Sequence, residues 1–312
     1  MRILFMGTPD FALFSLDALV KSGEEVVGVV TQPDKPKGRG YTLTPPPVKV
    51  YALEQGIEVY QPTTLKDGAF LETIEKLNPE MIVVVAYGKI LPKYVLDFPK
   101  YGCINIHCSL LPKYRGAAPM QRAIIDGEKV TGVTSMYMAE GLDTGDMLIK
   151  EEVEIAEDDN FETIHDKLGA AGARVLLLTV EAAKNGTLKP EKQDESLATH
   201  TSKIEKGDCL IDFSADAHTI HNKIRGLSPF PLAFTYLPNG KIFKIVRARY
   251  ESTNCGEDFG KVVRADKSGI AVCAKGGLVV IEIATPEGKK AQSAADLVNG
   301  RQVSVGDILG VK

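Results

Sequence analysis

Apolar runs alternate with helix-like runs over the first two-thirds of the chain. Ile3–Met6 is an unbroken apolar stretch with the length of a buried strand. Phe11–Val20 has the density of a packed helix, ended by Gly23. Val26–Val30 reads as a second strand, Val48–Gln55 as a helix stopped at Gly56, and Leu71–Leu77 as a helix broken by Asn78-Pro79. Met81–Ala86 is continuous and β-branched, as a central parallel strand is. Ile104–Ile106 and Val133–Met138 read as further strands, and Ala118–Ile125 as a helix. Phe161–Ala183 predicts a long helix with Ile164, Leu168, Val175 and Leu178 on one face. This alternation predicts an α/β class: an N-terminal Rossmann-like open sheet with right-handed crossovers. Ligands of such sheets bind outside the C-terminal ends of the strands.

The texture changes after residue 184. Asn185–Lys206 is polar, with Gly186 and Pro190, and reads as an extended connection. Beyond it, Lys241–Tyr250, Gly260–Val263, Gly269–Ala274 and Gly277–Ile283 are short β-rich runs punctuated by glycine, which predicts a small, OB-like C-terminal β-barrel. The expected division is a domain over 1–188, a linker over 189–206 and a β-barrel domain over 207–312.

Composition narrows the class. The 312 residues are 44% hydrophobic and 25% charged, values of a globular protein large enough for two domains. No apolar run approaches the length of a membrane span, and the start, Met1–Gly7, enters a strand without signal-peptide features. Five cysteines, at 103, 108, 209, 255 and 273, form no CxxC pair. That pattern predicts neither a disulfide framework nor a zinc site, and a cytoplasmic location. Residues 1–206 carry 23 Lys+Arg against 30 Asp+Glu, net −7; residues 207–312 carry 14 against 11, net +3. A mildly basic C-terminal part is compatible with nucleic-acid contact, and equally with ordinary surface variation.

Chemistry concentrates in two segments. Cys103–Pro112 holds Asn105 and His107, an amide and an imidazole two residues apart, which a strand places on one face. Gly141–Asp146 holds Asp143 between glycines. Amide donor, imidazole and carboxylate are the groups that attack on a carbonyl carbon requires. Elsewhere, Gly7-Thr-Pro-Asp10 is not a dinucleotide fingerprint and reads as a tight strand-to-helix turn. The loop Gln32–Gly40 carries Lys35, Lys37 and Arg39 in a Pro/Gly frame; it is either a solvated loop or a contact for phosphates. His218 and His221 stand at i,i+3 without carboxylate or cysteine company, so no metal is assigned to them.

Taken together, Ile3–Phe11, Thr31–Gly40, Val84–Gly88, Asn105-x-His107, Ser109–Gly116, Gly141–Asp146 and Gly288–Ser293 resemble the 10-formyltetrahydrofolate-dependent formyltransferases, over nearly the whole chain. The resemblance is strongest to the branch whose acceptor is methionyl-tRNA. It implies formyltransferase topology for the N-terminal sheet, catalytic roles for Asn105, His107 and Asp143, and no metal. It implies folate contacts from Val84, Ala86, Tyr87, Gly88, Ser109, Leu110, Leu111, Pro112 and Leu142. It implies contact of Lys35, Lys37 and Arg39 with the acceptor end of initiator tRNA, and a monomer with no membrane partner. Cys108 stands where a small residue such as glycine is common, which raises the question of thiol oxidation.

The implied reaction moves the formyl group from N10 of 10-formyltetrahydrofolate to the α-amine of initiator methionyl-tRNA. Asn105 and His107 would stabilise the oxyanion, and Asp143 would orient His107 and take part in proton transfer. Three alternatives share parts of the pattern: a formyltransferase acting on a nucleotide-linked amino sugar, a 10-formyltetrahydrofolate hydrolase, and a catalytically silent RNA-binding protein. The basic loop argues against the first and the intact triad against the last.

Overall fold

The computed structural model describes residues 1–37 and 42–310. Two compact units emerge from the packing: Met1–Ala117, Val130–Glu154 and His165–Thr201 form one, and Ala118–Lys129, Ile155–Ile164 and Ser202–Lys312 the other.

The first unit is built on a seven-stranded sheet: β1 (Arg2–Gly7), β2 (Glu25–Val30), β3 (Val59–Tyr60), β4 (Met81–Val85), β5 (Cys103–His107), β6 (Val130–Tyr137) and β7 (Met147–Glu154). Their order is β7-β6-β5-β4-β1-β2-β3. The pairs from β5 to β3 are parallel, while β6 and β7 run antiparallel at one edge. All five residues of β4 are buried, as the continuous apolar run predicts for a strand covered on both faces. β7 is Met-Leu-Ile-Lys-Glu-Glu-Val-Glu, and its apolar signal is diluted because an edge strand carries charge.

The helices are α1 (Phe11–Lys21), α2 (Pro47–Glu54), α3 (Leu71–Leu77), α4 (Lys93–Leu96), α5 (Pro119–Ile125), α6 (Phe161–Lys184), α7 (Ala217–Gly226) and α8 (Ala294–Asn299). Along α6, Ile164, Leu168 and Val175 are buried as expected, but Leu178 is exposed. The buried stripe drifts around the helix to Leu176, Thr179 and Val180, because 3.6 residues per turn does not hold one face over six turns. The Gly7–Asp10 turn serves the fold: a Cβ on Gly7 would crowd Ala12 Cβ at 2.8 Å, and Asp10 caps Phe11 N at 3.0 Å.

The second unit holds an antiparallel sheet of β8 (Ala233–Tyr236), β9 (Ile242–Glu251), β10 (Val262–Asp266), β11 (Gly269–Ala274), β12 (Gly277–Pro286) and β13 (Gln292–Ser293). The ladder runs β8-β9-β12-β11-β10, with β13 on β12. Its end strands, β8 and β10, are not paired with each other among the described residues. Register shifts at 245–248 bend β9. The core joins Ile220 and Ile224 of α7 and Leu297 of α8 to Phe243, Ile245, Val262, Val279 and Ile281 of the sheet. Residues 118–129, early in sequence, pack here, with α5 against α7.

The cysteine expectation is corrected. Cys255 and Cys273 form a disulfide, their Cα atoms 5.7 Å apart, while Cys103, Cys108 and Cys209 are free and buried. Eighteen residues separate the pair in sequence, and only the path of the chain before β10 brings Cys255 to β11.

Candidate active site

The parallel strands β1, β4 and β5 end along one edge of the sheet, with Gly7 opposite Val85 and Val84 opposite Asn105. Asn105 and His107 alternate onto the same face of β5, and opposite them on β6 lie Met136 and Thr134. The side chain of Asn105 is half-buried and has no hydrogen-bond partner among the described residues. A half-buried amide left free where the parallel pairing of β5 ends is available to a ligand.

His107 is nearly fully buried, and its Nε2 lies 2.9 Å from Tyr114 O. A carbonyl only accepts, so Nε2 carries the proton. In the neutral ring Nδ1 is then a lone pair. It faces Asp143 Oδ2 at 3.7 Å, too far for a direct hydrogen bond. Asp143 is instead held by Gly116 N, which donates to Oδ2 at 2.7 Å. The three residues predicted to act together are thus brought together, with the carboxylate fixed by backbone and not by the ring.

Both loops that frame this site are bent sharply. Asp143 and Tyr114 have φ of 53° and 60°, in the left-handed region that side-chain-bearing residues rarely occupy. Gly145 is required because a Cβ there would overlap Tyr137 O. The loop after β5 is tied internally: Ser109 Oγ donates to Lys113 O at 2.6 Å, and Thr134 Oγ1 donates to Ser109 O at 2.7 Å while accepting from Leu111 N at 3.2 Å.

The predicted folate residues divide into two kinds. Val84, Tyr87, Ser109 and Leu111 have buried side chains, so they shape the rim from beneath. Burial pushes the Tyr87 phenol up to about 12, with the nearby Tyr94 adding to the shift. Leu142 is 64% exposed, Ala86 and Gly88 are exposed with φ of 48° and 79°, and Leu110 and Pro112 are half-buried. Cys108 is buried, and desolvation followed by the Asp143 charge pushes its thiol well above the ordinary range. Burial therefore disfavours the thiolate, the form that reacts with oxidants.

In the basic loop Lys35–Lys37 pairs antiparallel with Thr42–Thr44. Lys35 is exposed, and its Nζ donates to Gln32 Oε1 at 2.8 Å. Arg39 lies outside the described residues, as does the side chain of Lys37. Lys49 and Gln61 clamp Asp34 at the loop base, at 2.9 and 2.8 Å. Gln32 Nε2 and Thr8 Oγ1 both donate to Tyr87 O, joining the ends of β1, β2 and β4. A cavity of about 220 Å3 opens here between Thr8, Gln32, Lys35 and the prolines 45–47.

His218 and His221 approach Glu157 at 3.3 and 3.9 Å, and no cluster of three or more His, Cys, Asp or Glu among the described residues is placed to hold a metal. Arg115, Gln193 and Glu195 were not singled out from the sequence. Arg115 is fully buried beside the site, with its guanidinium bidentate on Glu195 at 2.7 and 2.9 Å.

The class of the protein is that of the formyltransferases. The chain matches the Formyl transferase family over residues 1–180 and the Formyl transferase C-terminal domain over 203–302. A methionyl-tRNA formyltransferase of Geotalea uraniireducens (strain Rf4) is 49% identical over 313 residues, covering 100% of this chain and 99% of that protein. One from Bacillus subtilis (strain 168) is 48% identical over 312 residues, covering 99% and 98%. The chain belongs to the methionyl-tRNA formyltransferase family. The fold is shared with WlaRD, a sugar 3N-formyl transferase solved in the presence of dTDP and 5-N-formyl-THF, at a TM-score of 0.67 and 19% identity, covering 93% of this chain and 99% of that one.

Proposed function

We propose that this chain transfers the formyl group of 10-formyltetrahydrofolate to the α-amine of initiator methionyl-tRNA, with Asn105, His107 and Asp143 as the reacting groups. Family membership supports the reaction, and the unpartnered amide of Asn105 beside the His107–Asp143 pair supports the assignment. The donor fits the edge: Ala86 and Gly88 offer exposed backbone, Leu142 an apolar surface and Asn105 a free donor.

The amine attacks the formyl carbon as its neutral form. A free α-amine titrates near ~7.7–8.0, so it needs little activation. Asn105 donates to the formyl oxygen as negative charge develops there. His107, its Nε2–H spent on Tyr114, takes the amine proton at Nδ1, and Asp143 supplies the counter-charge. The same Nδ1–H then donates towards the oxyanion or returns the proton to N10 as the C–N10 bond breaks.

Lys35, with Lys37 and Arg39, is assigned to the acceptor end of the tRNA. The C-terminal part, read as a curled OB-like barrel domain over 207–312 after a catalytic domain over 1–188, supplies phosphate contacts that weaken with salt. We read the enzyme as a monomer that acts in the cytoplasm, where its tRNA substrate is used. Labelled 10-formyltetrahydrofolate offered with initiator Met-tRNA, with elongator Met-tRNA, and without acceptor tests this. Label is expected on initiator Met-tRNA only; formate release without acceptor identifies a hydrolase instead.

A further inference from the structure

We infer that Gln193 is a positioning residue that holds the Asp143 carboxylate in place, an inference that rests on the catalytic assignment of Asp143. Gln193 lies in the stretch that the sequence predicts to be linker. Its Nε2 donates to Asp143 O and to Gly145 O, both at 2.8 Å, and its Oε1 accepts from Arg115 Nε at 2.9 Å. Only one orientation of the amide satisfies this set, since two carbonyls face its nitrogen and a guanidinium N–H faces its oxygen.

The turn needs such a tie. Asp143 sits in a left-handed backbone conformation, and its carboxylate is useful only while it faces His107 Nδ1. Two devices hold it, and both are backed by the same segment. Gln193 grips the backbone on either side of Thr144. The Gly116 N–H that binds the carboxylate belongs to Arg115–Gly116, which pairs in parallel with His200–Thr201. Thr199 Oγ1 adds a bond from Tyr114 N at 2.8 Å, next to the carbonyl that sets the His107 tautomer. Residues 193–201 therefore buckle the two catalytic loops together. Arg115 anchors the buckle: it is buried, and two further N–H groups of its guanidinium bind Glu195.

The test is steady-state kinetics with 10-formyltetrahydrofolate and methionyl-tRNA. Gln193→Met keeps the shape and removes the donors. Gln193→Glu keeps an acceptor for Arg115 and removes the donors to 143 and 145. Each is expected to lower kcat by about tenfold to a hundredfold, the range found when groups orienting a reacting residue are removed, with both KM values within about twofold. In an Asp143→Asn background, Gln193→Met is expected to cost nothing further, because the residue acts through Asp143. Full turnover by Asp143→Asn alone refutes the catalytic assignment. Loss of turnover in Asp143→Asn with wild-type kcat in a folded Gln193 variant refutes the inference alone. An equal cost of Gln193→Met in both backgrounds, or failure of both Gln193 variants to fold, assigns the residue to general structure and overturns the proposal.

Discussion

The two candidate functional regions of the first unit are built on opposite principles. Around Asp143 nearly every polar group is committed: the carboxylate to Gly116 N, the backbone to Gln193, the His107 ring to Tyr114 O. Around Lys35 the clamp reaches only the loop base, through Asp34, Lys49 and Gln61, and the ammonium itself is exposed on a single bond to Gln32. Bond-making gains from groups held rigidly where charge develops, because no reorganisation is then needed during reaction. Recognition of a polyanion gains from accessible cations, because its energy comes from released counterions and not from one fixed geometry.

That contrast breaks most visibly at the rigid end. Asp143→Asn removes the counter-charge opposite Nδ1, and kcat is expected to fall by roughly 10²–10⁴-fold, the range for a lost acid–base partner. Full turnover with normal substrate binding would remove Asp143 from the chemistry. Asn105→Ala is expected to cost about 10²–10³ in kcat, or about 3–4 kcal/mol, while folate affinity measured by fluorescence changes far less. A loss confined to affinity would make Asn105 a binding group only.

At the open end the effects are smaller and of another kind. Lys35→Ala is expected to raise KM for methionyl-tRNA several-fold and to reduce the slope of log affinity against log salt by about 1, without altering folate binding. An unchanged salt slope would show that this lysine meets no phosphate. The smallest effect concerns the clamp. Gln61 and then Lys49 hold the Asp34 carboxyl below its ordinary value of 3.8. A depressed folded value contributes stability that is present above the ordinary value and lost as pH falls through the folded one. Asp34→Asn is therefore expected to lower the thermal midpoint slightly at neutral pH and to flatten its decline in strong acid. An identical acid profile would show the clamp to be irrelevant to stability.

Legibility followed the same division. Strands buried on both faces, such as Met81–Val85, announce themselves as continuous apolar runs, and Leu71–Leu77 is bracketed by its own stop signal. The edge strand Met147–Glu154 and helix Ala217–Gly226, with His218, His221, Asn222 and Arg225 in it, do not, because their polar residues serve solvent and distant partners. Residues 193–201 were legible only as polar chain: a glutamine between charged neighbours carries no sign of which carbonyls it will reach. The same holds for Cys255 and Cys273, whose spacing says nothing of their meeting.

By itself the sequence determined the alternation of buried strands and helices, and hence the sheet edge at which a ligand is expected. It also singled out a candidate set of groups, Asn105 and His107 by their two-residue spacing and Asp143 by its place between glycines. Only the tertiary structure decided which atoms are free and which are spent. It set the His107 Nε2–H on Tyr114 O, left the Asn105 side chain without a partner among the described residues and seated Asp143 on Gly116 and Gln193. Periodicity is a local property written into consecutive residues. Hydrogen bonds across 50 positions depend on the path of the whole chain, which no local pattern encodes.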